Sequence, residues 1–125
     1  MKTSYRELSK REIEILNFLL SKDFPGRNKL LNQVSNAKVR PINEYSDNWG
    51  SLEFKIKSGN KAKVDERIPV QASTLDSDNV PITLFLHVIN GKINELEIVK
   101  ADNSPLNKTL KASDLKLDNV RYENG

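Results

Sequence analysis

The chain contains no cysteine, and that absence removes disulfides, thiolate nucleophiles and cysteine-ligated zinc from its chemistry. It also fits a reducing compartment. Histidine is almost as scarce, with His87 as the one copy. A multi-histidine metal site is therefore excluded, and a hydroxyl nucleophile has a single candidate imidazole base. The glycines are few and scattered, at Gly26, Gly50, Gly59, Gly91 and Gly125. That spacing excludes the glycine patterns that cradle phosphates in Walker and dinucleotide-binding loops. Long apolar runs are missing as well. No stretch approaches the roughly 18 apolar residues of a membrane span. The first apolar stretch, Ile13 to Leu20, is broken by Glu14 and Asn17, which argues against a signal-peptide core. The expectation is one cytoplasmic domain over residues 1–125.

Charge, by contrast, is abundant. Twenty Lys and Arg against seventeen Asp and Glu leave +3, a weak bias. From Met1 to Pro41 there are nine basic and four acidic residues, and the remainder carries eleven and thirteen. A basic front thus precedes a slightly acidic region. Glu7, Glu12, Glu14 and Asp23 interrupt the basic residues, so they form a solvated surface rather than the clustered stripe of a polyanion site.

The periodicity changes once along the chain. Ser9 and Glu12 are spaced for a capping box, with Leu8 and Ile13 placed for a hydrophobic staple. Ile13, Leu16, Leu19 and Leu20 then recur at helical spacing, and Ile15 and Phe18 widen the stripe. Asp23-Phe24-Pro25-Gly26 ends that helix. A second, shorter helix runs from about Arg27 to Gln33 and stops near Asn36, with Leu30, Leu31 and Val34 as apolar contacts. After Ala37 the period becomes two. Val39 and Ile42 mark a first extended segment in which Pro41 implies an edge or a bulge. Leu52, Phe54 and Ile56 alternate with charged residues, and Ile68, Val70 and Ala72 alternate within a segment from Val64 to Leu75.

The strongest strand signal spans Ile82 to Val99. Ile82, Leu84, Leu86 and Val88 fall on one face and Thr83, Phe85, His87 and Ile89 on the other, which suits the sheet centre. Asn90-Gly91 is the dipeptide best suited to a type I′ hairpin. The return strand turns Leu96 and Ile98 inward and Glu95 and Glu97 outward. In the tail, Asp114, Leu115, Leu117 and Val120 form a short helix or a last edge strand. The pattern implies an α+β fold in two layers, with an N-terminal helical hairpin packed on a mainly antiparallel sheet of four to six strands.

No catalytic constellation emerges from the residues. His87 in an apolar strand reads as a core histidine with a satisfied hydrogen bond. Glu95 and Glu97 share a solvated face, where a glycosidase-like pair would need a concave apolar setting. Asp76-Ser77-Asp78-Asn79 begins like a calcium loop, but Pro81 stands at the sixth position and His87 at the twelfth. Phe24-Pro25-Gly26-Arg27 reads as an interhelical turn rather than an anion site. Phe54 and Phe85, the only candidates for stacking bases, read as buried. Tyr45 and Trp49 flank a polar loop, where Trp49 suits a cap on the core more than an interface anchor.

Arg6-Glu7-Leu8-Ser9, Glu12, Ile15-Leu16, Leu19-Leu20, Phe24-Pro25-Gly26, Leu30 and Gln33 resemble the opening of a bacterial family of short domains of unknown function. His87-Val88, Gly91, Glu95-Leu96-Glu97-Ile98, Asp102 and Pro105 resemble its ending, and Lys38 to Leu75 match poorly. The resemblance implies a fold and no catalytic residues. Similar small proteins accompany polymorphic toxin systems as candidate immunity partners. The expected function is therefore non-catalytic binding of a macromolecule, most concretely an immunity protein neutralising a bacterial toxin. No enzyme activity, cofactor or metal is expected. The candidate partner-binding residues are Tyr45, Asp47, Trp49, Asp76, Asp78, Glu95 and Glu97. The alternatives are a nucleic-acid-associated protein using Lys10, Arg11, Arg27, Lys29 and Arg40, and a small enzyme with an unfamiliar carboxylate site near His87.

Overall fold

A computed structural model of the chain describes residues 4–42, 49–57 and 61–118. Strand β1 (Arg6–Glu7) leads into helices α1 (Lys10–Leu19) and α2 (Arg27–Asn36). Strands β2 (Lys38–Pro41), β3 (Leu52–Lys55), β4 (Val70–Leu75), β5 (Pro81–Ile89) and β6 (Lys92–Lys100) follow. A turn of 3-10 helix (Ala112–Asp114) precedes β7 (Lys116–Leu117). The strands form one sheet in the order β1-β2-β3-β6-β5-β4-β7, and every pairing is antiparallel. The fold is α+β, with seven strands among the described residues rather than four to six. The two strands at the edges, β1 and β7, are 2 residues long each, too short for alternation to register in a sequence. Among the described residues no helix is long and apolar enough to cross a membrane.

Helix α1 begins as its capping residues dictate. The Ser9 hydroxyl accepts from the Glu12 N–H at 3.2 Å, and the Glu12 carboxylate accepts from the Ser9 N–H at 2.8 Å. Glu12 also takes a two-pronged bond from the Arg6 guanidinium, 2.8 Å on each oxygen, which fastens β1 to the helix. Burial alone would raise the Glu12 carboxyl, but Arg6 and Ser9 outweigh it and hold it below the usual range. The buried stripe of α1 is Glu12, Ile15, Leu16 and Leu19. Ile13, expected in that stripe, remains 39% exposed. Its place toward the core is taken by the paired Glu12, whose charge is satisfied by Arg6.

One sheet face is apolar throughout. Val39, Leu52, Phe54, Val70, Ala72, Ile82, Leu84, Leu86, Val88, Ile93, Leu96 and Ile98 join Ile15, Leu16, Leu19, Leu20, Leu30 and Val34 of the helical region in a single buried cluster. The Asn90-Gly91 turn adopts positive φ at both residues, 53° and 74°, as the hairpin requires. Gln33 locks α2 to this turn: its Nε2 donates to the Gly91 carbonyl at 2.8 Å, and its Oε1 accepts from the Ile93 N–H at 2.9 Å. The residue is fully enclosed, and both ends of its amide are satisfied.

The extended reading of Val64 to Leu75 is shortened to Val70–Leu75. The preceding segment instead makes isolated backbone bonds, Ala62 N–H to the Gly91 carbonyl and Val88 N–H to the Arg67 carbonyl. Pro69, which lacks a donor, ends the regular ladder. Strand β6 rather than β5 occupies the middle of the sheet. Apolar content on both faces suggested β5, yet its neighbour carries more charge on the outer face because that face is open.

Candidate functional site

The second face of the sheet is half exposed, and its side chains form a polar row. Arg40 on β2 lies opposite Glu53 on β3, Glu53 opposite Glu95 on β6, and Glu95 opposite His87 on β5. Directly paired residues share a face, so the four side chains stand in line across four strands. A second row beside it holds Gln71, Phe85 and Glu97. Phe85 is therefore half exposed, whereas single-strand alternation suggested burial; Phe54 is buried as expected.

The row is not electrically balanced. Arg40 bonds Glu53 at 2.7 Å and stacks 4.2 Å from the centre of the Tyr5 ring. His87 Nε2 meets Glu97 Oε1 at 2.8 Å, and Nδ1 accepts from Arg67 Nε at 3.1 Å. A guanidinium can only donate. Nδ1 must therefore be unprotonated, which places the ring proton on Nε2, donating to Glu97. Among the described residues the Glu95 carboxylate has no hydrogen bond or ion pair, although Glu53 stands directly opposite it. Like charges placed so are destabilising unless something else neutralises them.

A bulge shapes this region. The β5–β6 register shifts between His87 and Val88, so that Ile93 faces Val88 and Glu95 faces His87, leaving Asn94 as the extra residue. Ligand atoms of His87, Glu95 and Glu97 consequently all lie within 4.8 Å of one another. His87 is largely buried and has the satisfied hydrogen bonds expected of it, but it lies on the second face of the sheet rather than in the apolar core, its side chain 12% exposed and that of Glu97 40%. All three side chains are partly buried on the second face of the sheet.

Of the other residues expected at a partner surface, Asp76 lies inside. Its carboxylate is closed from solvent and takes bonds from Lys100 Nζ at 2.9 Å, the Asn107 N–H at 2.8 Å and the Ser77 N–H at 2.8 Å. Burial alone would raise this carboxyl, but these donors overcome it and hold it down at about 2. Lys100, also fully buried, reaches Asp78 at 2.7 Å and the Pro105 carbonyl at 3.1 Å. Desolvation works against its charge, and the two carboxylates reverse that and raise its pKa. Asp78 is thus a structural ion-pair partner whose carboxyl is lowered chiefly by Lys100. Trp49 is half buried, packs against the core and donates Nε1–H to the Ser104 carbonyl at 2.8 Å. Tyr45 and Asp47 lie outside the described residues. Of the expected residues that are described, Glu95 and Glu97 alone meet on the second face of the sheet.

Arg40, Glu53, Arg67, Phe85 and His87 join them; of these the sequence named Arg40 only for a nucleic-acid surface and His87 only for an alternative carboxylate site, and it did not group the five. Cross-strand register creates the row, and register is not written in any one segment. The buried lysine did leave a trace: Lys100 continues the inward phase of Leu96 and Ile98, so a counter-charge was required nearby.

These features define an α+β domain with an open, seven-stranded antiparallel sheet and a charged row on its exposed face. Residues 5–110 match the family described as Domain of unknown function (DUF6984), and the chain belongs to that family. The match runs through Lys38 to Leu75, the stretch that had looked poorly matched. No curated protein and no solved structure matches the chain.

Proposed function

We propose that the chain is a non-catalytic protein-binding domain that docks a basic protein surface on the open face of its sheet. The observation that carries this is the uncompensated Glu95, set opposite Glu53 and beside Glu97. A Lys or Arg from a partner would neutralise the cluster, while half-exposed Phe85 and exposed Ile89 offer apolar area alongside. The helices, whose apolar residues share one buried cluster with the other face of the sheet, would keep the open face rigid, so docking would cost little ordering. In its most concrete form the partner is a bacterial toxin domain and the chain is its immunity protein, acting by covering the toxin's active site. Small size and the resemblance support that form, and a carboxylate-rich centre suits a basic nuclease target.

The nucleic-acid alternative draws less support. Arg40 is held by Glu53 and Tyr5, Arg11 donates to the Leu110 carbonyl at 3.1 Å, and Arg27 faces Asp23 at 3.8 Å. Three of its five cations already have partners within the chain.

The test is co-expression with the product of the adjacent reading frame, followed by co-purification. The wild type should retain a stoichiometric protein partner. Glu95→Lys alone, and together with Glu97→Lys, should weaken that complex at least about tenfold through like-charge repulsion, with unchanged circular dichroism. A complex that survives both variants at full affinity, or no protein partner at all, contradicts the reading. Co-purifying RNA that is lost on Lys10→Glu and Lys29→Glu would favour the alternative.

A further inference from the structure

We infer that His87, Glu95 and Glu97 form a binding site for a borderline divalent transition-metal ion such as Zn2+ or Co2+, with Arg67 as the latch that closes it in the metal's absence. One imidazole nitrogen and two carboxylates make a mixed nitrogen–oxygen donor set. Such a set favours these ions over Mg2+ and Ca2+, which take oxygen ligands. The three donor atoms lie within 4.8 Å of one another, and the His87 Nε2 to Glu97 Oε1 separation is 2.8 Å. Ligands around tetrahedral zinc stand about 3.3 Å apart, given metal–ligand bonds of about 2.0–2.1 Å. Side-chain rotation of the two glutamates covers the difference, and the backbone need not move. The Asn94 bulge is the device that sets Glu95 beside His87, and bulges of this kind re-aim side chains at sites. The fourth position is left to water.

Charge argues in the same direction. Across the two rows stand Glu53, Glu95 and Glu97 with Arg40, beside Arg67 and on the same face as Lys55 and Lys92, and the Glu95 carboxylate is the one of the three with no ion-pair partner among the described residues. A dication supplies what is missing. Coordination through Nε2 requires the ring proton to move to Nδ1, and there Arg67, a donor only, cannot accept it. The exposed Arg67 must swing away, and its loss of one solvent-accessible hydrogen bond is the cost of opening.

Metal binding is measured on the free chain, so its test is separate from the docking test, although the ion and a partner's cation would compete for the same two carboxylates. Calorimetric titration of the untagged, full-length chain with Zn2+ should show one saturable site. Co2+ should bind there too and give a visible d–d spectrum of low symmetry. Glu95→Gln and His87→Gln should each weaken Zn2+ binding at least about tenfold. Arg67→Gln should tighten it several-fold, because a Gln carbonyl accepts the Nδ1–H that Arg67 repels. Glu14→Gln, on the exposed side of α1, should leave it unchanged. Absence of a saturable Zn2+ site overturns the inference. So does binding that is indifferent to His87→Gln or matched by Mg2+, since that is adventitious carboxylate binding only.

Discussion

Gly91→Ala should lower the unfolding free energy by about 3 kcal/mol, a large share of the roughly 5–15 kcal/mol typical of a domain. Two effects combine. At φ +74° an alanine pays about 1–2 kcal/mol for left-handed backbone. Its Cβ would then lie 2.4 Å from the Ala62 carbonyl oxygen and 2.9 Å from the Ala62 nitrogen, atoms of a main chain that cannot step aside cheaply. Overpacking of this type typically adds about 1–3 kcal/mol. The Gly91 carbonyl also accepts from both Ala62 N–H and Gln33 Nε2–H, so displacement of the turn strains the contact with α2. In thermal melts the midpoint should fall by about 10–15 °C. Gly50→Ala is the matched control. Its φ is +81°, but the nearest atom to an added Cβ is Ile98 Cδ1 at 3.9 Å, so only the backbone cost of about 1 kcal/mol applies. Equal losses for the two variants would show that the Ala62 approach does not exist.

Lys100→Met should be comparably damaging. It leaves the Asp76 carboxylate closed from solvent with its Asn107 and Ser77 donors but without a cation, and it frees the turn anchored through Pro105. Removing one member of a buried pair is costly because the surviving charge is stranded, and the midpoint should drop by about 10 °C or more. Adding Asp76→Asn to Lys100→Met should recover part of that loss, since no unpaired charge then remains. If the double variant is worse than the sum of the single ones, the pair is not the source of the effect.

The same network gives a pH signature. The Asp76 carboxyl lies at about 2 in the folded chain against an ordinary 3.8. The unfolded chain therefore takes up the proton first, and the contribution is complete above 3.8 and lost as pH falls toward about 2. Lys100, raised above its ordinary 10.5, contributes below that value and loses its effect as pH climbs through the higher folded value. Stability from this network is flat in the neutral range. Denaturant titrations at decreasing pH should show the gap between wild type and Asp76→Asn closing between pH 4 and 2, about one pKa unit on either side of the midpoint of the shift. Glu12, Asp78 and Asp102 are also lowered and will keep some acid sensitivity in the variant. A gap independent of pH would contradict the ion pair.

Features governed by neighbours in sequence were legible beforehand. The Ser9–Glu12 box, the Asn90-Gly91 reversal and the inward phase of Leu96 and Ile98 each depend on local geometry. Features governed by distant neighbours were not. Glu12 takes a buried position only because Arg6 pairs with it, and Asp76 leaves the surface only because Lys100 points inward from another strand. The candidate site belongs to the second kind. Alternation put Glu95 and Glu97 on the wet face, but the register that aligns Arg40, Glu53, Glu95 and His87 comes from three separate strand pairings and one bulge. His87 looked like a core residue because apolar residues surround it in the strand, while across the sheet its neighbours are glutamates.

The open face is the functional surface in this account, and site-specific photocrosslinking inside the native cell tests that directly. A benzophenone amino acid in place of Phe85 should capture a protein partner into a single covalent adduct. The same group in place of Ile13, in the groove of about 630 Å³ bordered by Leu8, Leu31 and Val34, should capture none. Adducts from the Ile13 position with none from Phe85 would place the interface on the helical side and contradict the account.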